Sequence, residues 1–194
     1  MLTPWGYSVD SIPGIITVEQ FNSMTGNRWA SDSRIESAIA SASASIRAYC
    51  GWHVAPSLSC TMVLDGERGD IWLPTTALTA VSSVEFDGVE QTVDGFNHRG
   101  RVLTQAPQPC GLGNVEVTYT AGYDLASMPD LADVVKGRVV AAIALTSYGI
   151  SQETAGSVSI SYSSSALSDA GGYFLPESVR AMLAPYRLVS AHAA

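Results

Sequence analysis

Positive charge is scarce in this chain. Ten lysines and arginines stand against eighteen aspartates and glutamates, a formal net charge of −8 at pH 7. A protein that grips nucleic acid is expected to carry a basic stripe. A dedicated nucleic-acid binder is therefore excluded, although a wall past which DNA slides without sticking is not. Cysteine is scarce as well. Cys50, Cys60 and Cys110 are an odd number at wide spacing, which reads as reduced thiols of a cytosolic or virion protein. No apolar run approaches the roughly 20 residues that span a bilayer, so no membrane span is expected. The opening MLTPWGYSVD has neither the basic start nor the apolar stretch of a secretory signal. There is no Gly-rich phosphate loop ending in lysine and no serine nucleophile set between glycines. The 46% hydrophobic share excludes wholesale disorder.

The most organised stretch is 129–149, PDLADVVKGRVVAAIALTSYG. Pro129 suits a first helical turn, where its missing N–H costs nothing. Asp130 and Asp133 place negative charge near the positive end of the helix dipole, and Gly149 offers a left-handed stop. The run VVAAIAL, containing Val139 and Ile143, has almost no polar face. A helix apolar all round is buried by protein or lipid, and this run is too short for lipid. It is expected to be wrapped by other elements, those of other copies of the chain included.

Residues 1–16 read as an arm rich in Pro and Gly with exposed-looking Trp5, Tyr7, Ile15 and Ile16. Such arms are disordered or pack on a partner. Thr17 is an N-cap candidate for a short helix to Met24. A longer helix, capped by Ser31 or Asp32, runs to Cys50 and stops at Gly51. Ile35, Ile39, Ala42, Ile46 and Tyr49 give it one apolar stripe. Its Ala/Ser run, AIASASAS, is expected to let the 129–149 helix approach closely, or else to be a surface of low bulk.

From 57 to 124 the period becomes two. Strands are expected at 58–64, 70–73, 81–86, 101–103 and 115–120, with Asp65-Gly66, Asp87-Gly88 and Asp94-Gly95 as turns. Gly111-Leu112-Gly113 reads as a hairpin turn. The block holds nine acids against three arginines, most of the net charge. It reads as a solvated β-subdomain kept soluble by charge, or as a surface that repels nucleic acid or meets a basic partner. After 150, Val158, Ile160 and Tyr162 alternate with serines, an uncharged strand or extended loop that invites pairing with another chain. Pro176 begins a last helix that Pro185 bends or ends.

Chemistry finds little support. Cys50 and His53 are three apart, but a helix C-terminus disfavours a thiolate. Core packing is the expectation for both, and a cysteine hydrolase is a remote alternative. His98 and His192 lack partners at zinc spacing. Asp65, Glu67 and Asp70 lack the full ligand set of a calcium loop. No metal, cofactor or catalytic residue is expected.

The domain order is thus an arm (1–16), a first helical part (17–56), an inserted β-rich subdomain (57–124), a central helix (125–150), an extended loop or hairpin (151–175), and a C-terminal helix and tail (176–194). The fold class is α+β, a small helical bundle core carrying the β-rich insertion. Taken in order, VEQFNSMTG, IRAYCGWHV, LPTTALTAVSSVEFDG, VEVTYTAGYD, MPDLADVVKGRVVAAIAL, ETAGSVSISYS and LAPYRL resemble the head–tail connector, or adaptor, proteins of tailed bacteriophages. The β-block is longer than in compact members. The resemblance implies a non-enzymatic virion protein, made in the bacterial cytoplasm. It forms a ring, dodecameric to match the portal, beneath the portal protein, and extends the DNA channel. The next neck protein, a stopper or tail terminator, would bind below, and DNA would pass without specific binding. A stopper or tail-completion protein is the alternative. Pro185, Tyr186, Arg187 and Leu188 would face the portal. Val158, Ile160 and Tyr162 would meet a neighbouring subunit or neck protein. Ile35, Ile39, Ile46, Val139 and Ile143 would pack the core.

Overall fold

Alternation of apolar and polar residues through the middle of the chain produces antiparallel sheets, and 3.6-residue periodicity on either side produces helices. The computed structural model describes residues 1–67, 69–147, 152–155, 158–161 and 175–188. The architecture is α+β, and the chain divides into two units, each assembled from separated stretches.

The first unit comprises Met1–Pro13, Cys50–Ser127 and the described residues from Tyr186 onward. Its five-stranded sheet has the order β1-β2-β8-β4-β5: β1 (Tyr7–Ser8), β2 (Leu58–Gly66), β8 (Gly111–Ala121), β4 (Leu78–Phe86) and β5 (Val89–Glu90). The register opposes Cys60 to Tyr119 and sets Val84 and Met62 on either side of Val117. This face holds Cys60, Val84, Phe86, Val115, Val117 and Tyr119, all buried. A three-stranded sheet, β3-β7-β6, joins β3 (Ile71–Trp72), β7 (Arg101–Thr104) and β6 (Val93–Phe96). Asp87 and Gly88 close the β4–β5 hairpin with φ of +50° and +77°, the paired positive values of a tight hairpin turn.

Several local expectations are corrected here. Tyr7, Ile15 and Ile16 are buried against their own chain rather than exposed. Tyr7 and Ser8 form the edge strand on Met62 and Thr61. Asp94-Gly95 lies inside β6, where the register shifts between Val93 and Gly95; it marks a bulge, not a turn. Gly111 to Gly113 open β8, and Gly66 at the end of β2 pairs with Gly111. These glycines serve a pairing between distant strands, which a local reading of turn dipeptides misses.

The second unit comprises Gly14–Tyr49 and the described residues of Met128–Pro185. Helix α1 (Val18–Met24) starts on a capping box: Gln20 N donates to Thr17 Oγ1 at 3.2 Å, and Thr17 N donates to Gln20 Oε1 at 2.8 Å. Helix α2 (Ile35–Cys50) is preceded by Asp32, whose carboxylate accepts from Arg34 N and Nε at 2.9 Å each. That pairing holds the Asp32 pKa down to about 2. The Ala/Ser run of α2 receives the chain's own 14–16 segment: Ile15 N donates to Ser43 Oγ at 2.9 Å, and a Cβ on Gly14 would crowd Ile39.

Helix α3 (Pro129–Ser147) is the 129–149 helix of the sequence; 148–150 lie outside the described residues. It buries one stripe, Leu131, Val134, Val135, Val139 and Ile143. Val140, Ala141 and Ala142 are only half-buried, and Gly137 is exposed. The expected all-round wrapping is therefore not provided by the described residues. Helix α4 (Glu177–Leu183) packs on α3, and Tyr49 Oη donates to the Arg180 carbonyl at 3.2 Å. Strands β9 (Gln152–Ala155) and β10 (Val158–Ser161) pair antiparallel, with Ile160 opposite Glu153. None of the described helices is long and apolar enough to cross a membrane.

Candidate assembly surfaces

The residues that promised chemistry are structural. His53 is fully enclosed. Its Nε2 lies 2.9 Å from the Ala121 carbonyl, which can only accept, so Nε2 carries the proton. Nδ1 is then the acceptor for Tyr7 Oη at 2.7 Å. The same hydroxyl accepts from His53 N at 3.1 Å. Gly122 has φ of +122°, and a Cβ there would strike the Pro56 carbonyl and crowd His53 Nε2. The imidazole thus joins β1, the segment after α2, and the end of β8. Cys50 is buried, and burial pushes its thiol up to about 12. Both ring nitrogens of His53 are engaged elsewhere, so no thiol–imidazole pair forms. Cys60 is likewise buried and pushed up to about 12, while Cys110 is exposed.

The acids 65, 67 and 70 do not converge. Asp65 Oδ1 accepts from Gly113 N at 2.7 Å, and Asp70 pairs with Arg101. Among the described residues no group of three His, Cys, Asp or Glu is placed to hold a metal. His98 lends its carbonyl to Leu78 N, and His192 lies outside the described residues.

The segment 185–188 is partly spoken for. Tyr186 is buried, its carbonyl accepts from Trp52 Nε1 at 2.7 Å, and its ring packs edge-on against Tyr123 at 5.2 Å. Leu188 N donates to the Cys50 carbonyl at 2.9 Å. Pro185 and Arg187 are exposed. Of Val158, Ile160 and Tyr162, the first two stand on β10 and Tyr162 lies outside the described residues. Ile35, Ile39, Ile46, Val139 and Ile143 are all buried.

Sequence reasoning missed two outer faces in the β-block. On β3 and β7, Trp72 stands opposite Arg101, with Leu103 two residues along the same face. Trp72 is 60% exposed and Leu103 37%. On the five-stranded sheet, Glu85 stands between Glu90 and Glu116. The signal was present in the alternation of each strand, but which residues line up depends on registers between distant strands.

A family model for head completion proteins matches residues 14–189. The chain belongs to the head completion protein family. The resemblance to phage head–tail proteins drawn from the order of its segments agrees with this membership. No curated protein sequence matches the chain. Two solved structures share the fold of this head completion protein. One chain comes from the neck of a native gene transfer agent particle computed with C12 symmetry, at 16% identity and TM-score 0.57, covering 96% of each chain. The other comes from the virion of a native gene transfer agent particle, at 19% identity and TM-score 0.52, covering 97% of this chain and 98% of that one.

Proposed function

We propose that this head completion protein is a structural subunit of the neck of a phage-like particle, and specifically the adaptor. In this role it forms a ring beneath the portal, extends the DNA channel and joins capsid to tail. The single observation that carries the reading is the family match over residues 14–189. Likeness along nearly the whole chain to a neck component of a particle treated with C12 symmetry supports a ring, and twelve copies as its count. The excess of acidic over basic residues suits a channel wall, because phosphate contacts drive non-specific DNA affinity and a net −8 chain supplies few. The role is architectural rather than catalytic.

Portal contact through the C-terminal segment rests on the exposure of Pro185 and Arg187, whereas Tyr186 is buried and Leu188 half-buried. β10, with Val158 and Ile160, is the segment we assign to a neighbouring subunit or to the next neck protein, the stopper or tail terminator. Imaging of the particle neck at a resolution that traces helices tests the reading. A ring of this chain directly under the portal is the expected result. A ring one tier lower would make it a stopper, and its absence from the neck would end the proposal. Arg187→Glu is expected to weaken co-purification with portal protein, and unchanged binding would remove the C-terminal contact.

A further inference from the structure

The first unit presents two exposed faces of opposite character. Across the five-stranded sheet, Glu90, Glu85 and Glu116 stand side by side on β5, β4 and β8, and Val63 on β2 continues the row. Like charges directly opposite on adjacent strands repel. None of the three glutamates is ion-paired among the described residues. Val63, at 53% exposure, ends the row with apolar surface.

The three-stranded sheet is the reverse. Trp72, Arg101 and Leu103 share its open face. The Arg101 guanidinium lies 6.0 Å from the centre of the Trp72 ring and is braced by Asp70. Arg99, in the turn just before β7, is exposed. Arg99 and Arg101 are the described basic residues of the 57–124 block. Tryptophan and arginine are the side chains that most often anchor interfaces, and Trp72 is the most exposed of the aromatic residues among the large exposed hydrophobics.

A cyclic ring is closed by a heterologous contact: each subunit offers one face and receives a different one. We infer that these two faces are that pair. The Trp72–Arg101–Leu103 face of one copy seats on the Glu85–Glu90–Glu116 row of the next. This rests on the ring reading above and deepens it by naming the occupant of each face, a second copy of this chain. Charge complementarity carries the assignment. Arg99 and the Asp70-paired Arg101 meet three aligned carboxylates that have no cation of their own among the described residues, while Trp72 and Leu103 cover Val63.

Charge reversal in the full chain, followed by sedimentation equilibrium, tests the pairing. Glu85→Lys with Glu116→Lys reverses the row, and Arg99→Glu with Arg101→Glu reverses the other face. Each pair is expected to raise the concentration at half-assembly by about thirtyfold, and Trp72→Ala by a similar factor. The chain carrying all four reversals restores complementarity at every contact and is expected to regain most of the loss. Circular dichroism checks that each variant folds, and Trp72→Ala stands in where Arg101→Glu beside Asp70 does not. A wild-type chain that stays monomeric up to about 1 mM overturns the pairing. So do reversals that assemble like wild type, a four-site variant without rescue, or sensitivity on the glutamate row alone, which would mean that a different, basic protein sits there. A failure of the neck reading is a separate result, namely a particle neck that lacks this chain.

Discussion

Helices α2 and α3 lie in the same unit and have similar lengths, 16 and 19 residues, yet their burial runs against their composition. Nine residues of α2 are Ala or Ser. It nonetheless buries a clean stripe of Ile35, Ile39, Ala42 and Ile46, and encloses Ser43 and Arg47 beside it. α3 is apolar nearly all round its second half, but among its described side chains only Leu131, Val134, Val135, Val139 and Ile143 are buried, and Val140 to Ala142 stay half-open. Apolarity and burial are separate quantities. A stripe is enough to fix a helix on one body, and the surplus on α3 is surface that the chain's own described residues do not close.

That contrast can be broken most sharply by truncating the two stripes. Ile46→Ala and Ile143→Ala each remove a side chain at or near zero exposure. Each should cost about 2–5 kcal/mol, read as a lower denaturation midpoint at constant slope. A cost under about 1 kcal/mol for Ile143→Ala would mean that the α3 stripe holds less than its burial suggests. Val140→Ser, on the half-open side, should cost about 1 kcal/mol or less in the free chain. A larger loss would place that side against another part of the protein. Gly137→Ala works in the opposite direction. Nothing lies within 4 Å of the Cβ it would gain, so it should stabilise the free chain by about 0.5–1 kcal/mol. A gain in melting temperature combined with lost assembly would mark this line of α3 as one a neighbouring chain approaches.

The smallest effect belongs to the start of α2. Asp32 has its pKa depressed by Arg34, first through side-chain hydrogen bonds and then through the backbone N–H. A depressed folded-state pKa gives stability that is full above the unfolded value, about 4, and is lost as pH falls through about 2. Comparing the melting temperatures of wild type and Asp32→Asn from pH 6 down to pH 2 should show a small wild-type advantage that vanishes at the acid end. A constant difference would detach the effect from this carboxylate.

The legible parts of the fold were the local ones. The Thr17–Gln20 box, the Ile35–Ile39–Ile46 stripe and the alternation behind β2, β4 and β8 are each contained within one element. What could not be read depended on partners far away in the chain. Tyr7 looks exposed in a Pro/Gly-rich arm until Met62 and His53, 46 or more residues later, are brought to it. Asp94-Gly95 signals a turn as a dipeptide, but its pairing with β7 makes it a bulge. Tyr186 has the chemistry of an interface anchor, and only the Trp52 indole and Tyr123 ring show that it is already occupied. The two outer faces of the β-block are the extreme case, since neither exists until strands distant in the chain have found their register.

The single imidazole of His53 also sets a timetable. It holds Tyr7 of β1 to Ala121 at the end of β8, while Trp52 and Cys50 hold Tyr186 and Leu188. A chain made from the N-terminus onward therefore carries its first strand unpaired until β2 is made, and that strand's imidazole anchor is incomplete until residue 121 emerges. The same unit stays open until residue 188. Subunits can thus complete this unit only after residue 188 has left the ribosome. A nascent fragment ending before Tyr186 would lack the last strut.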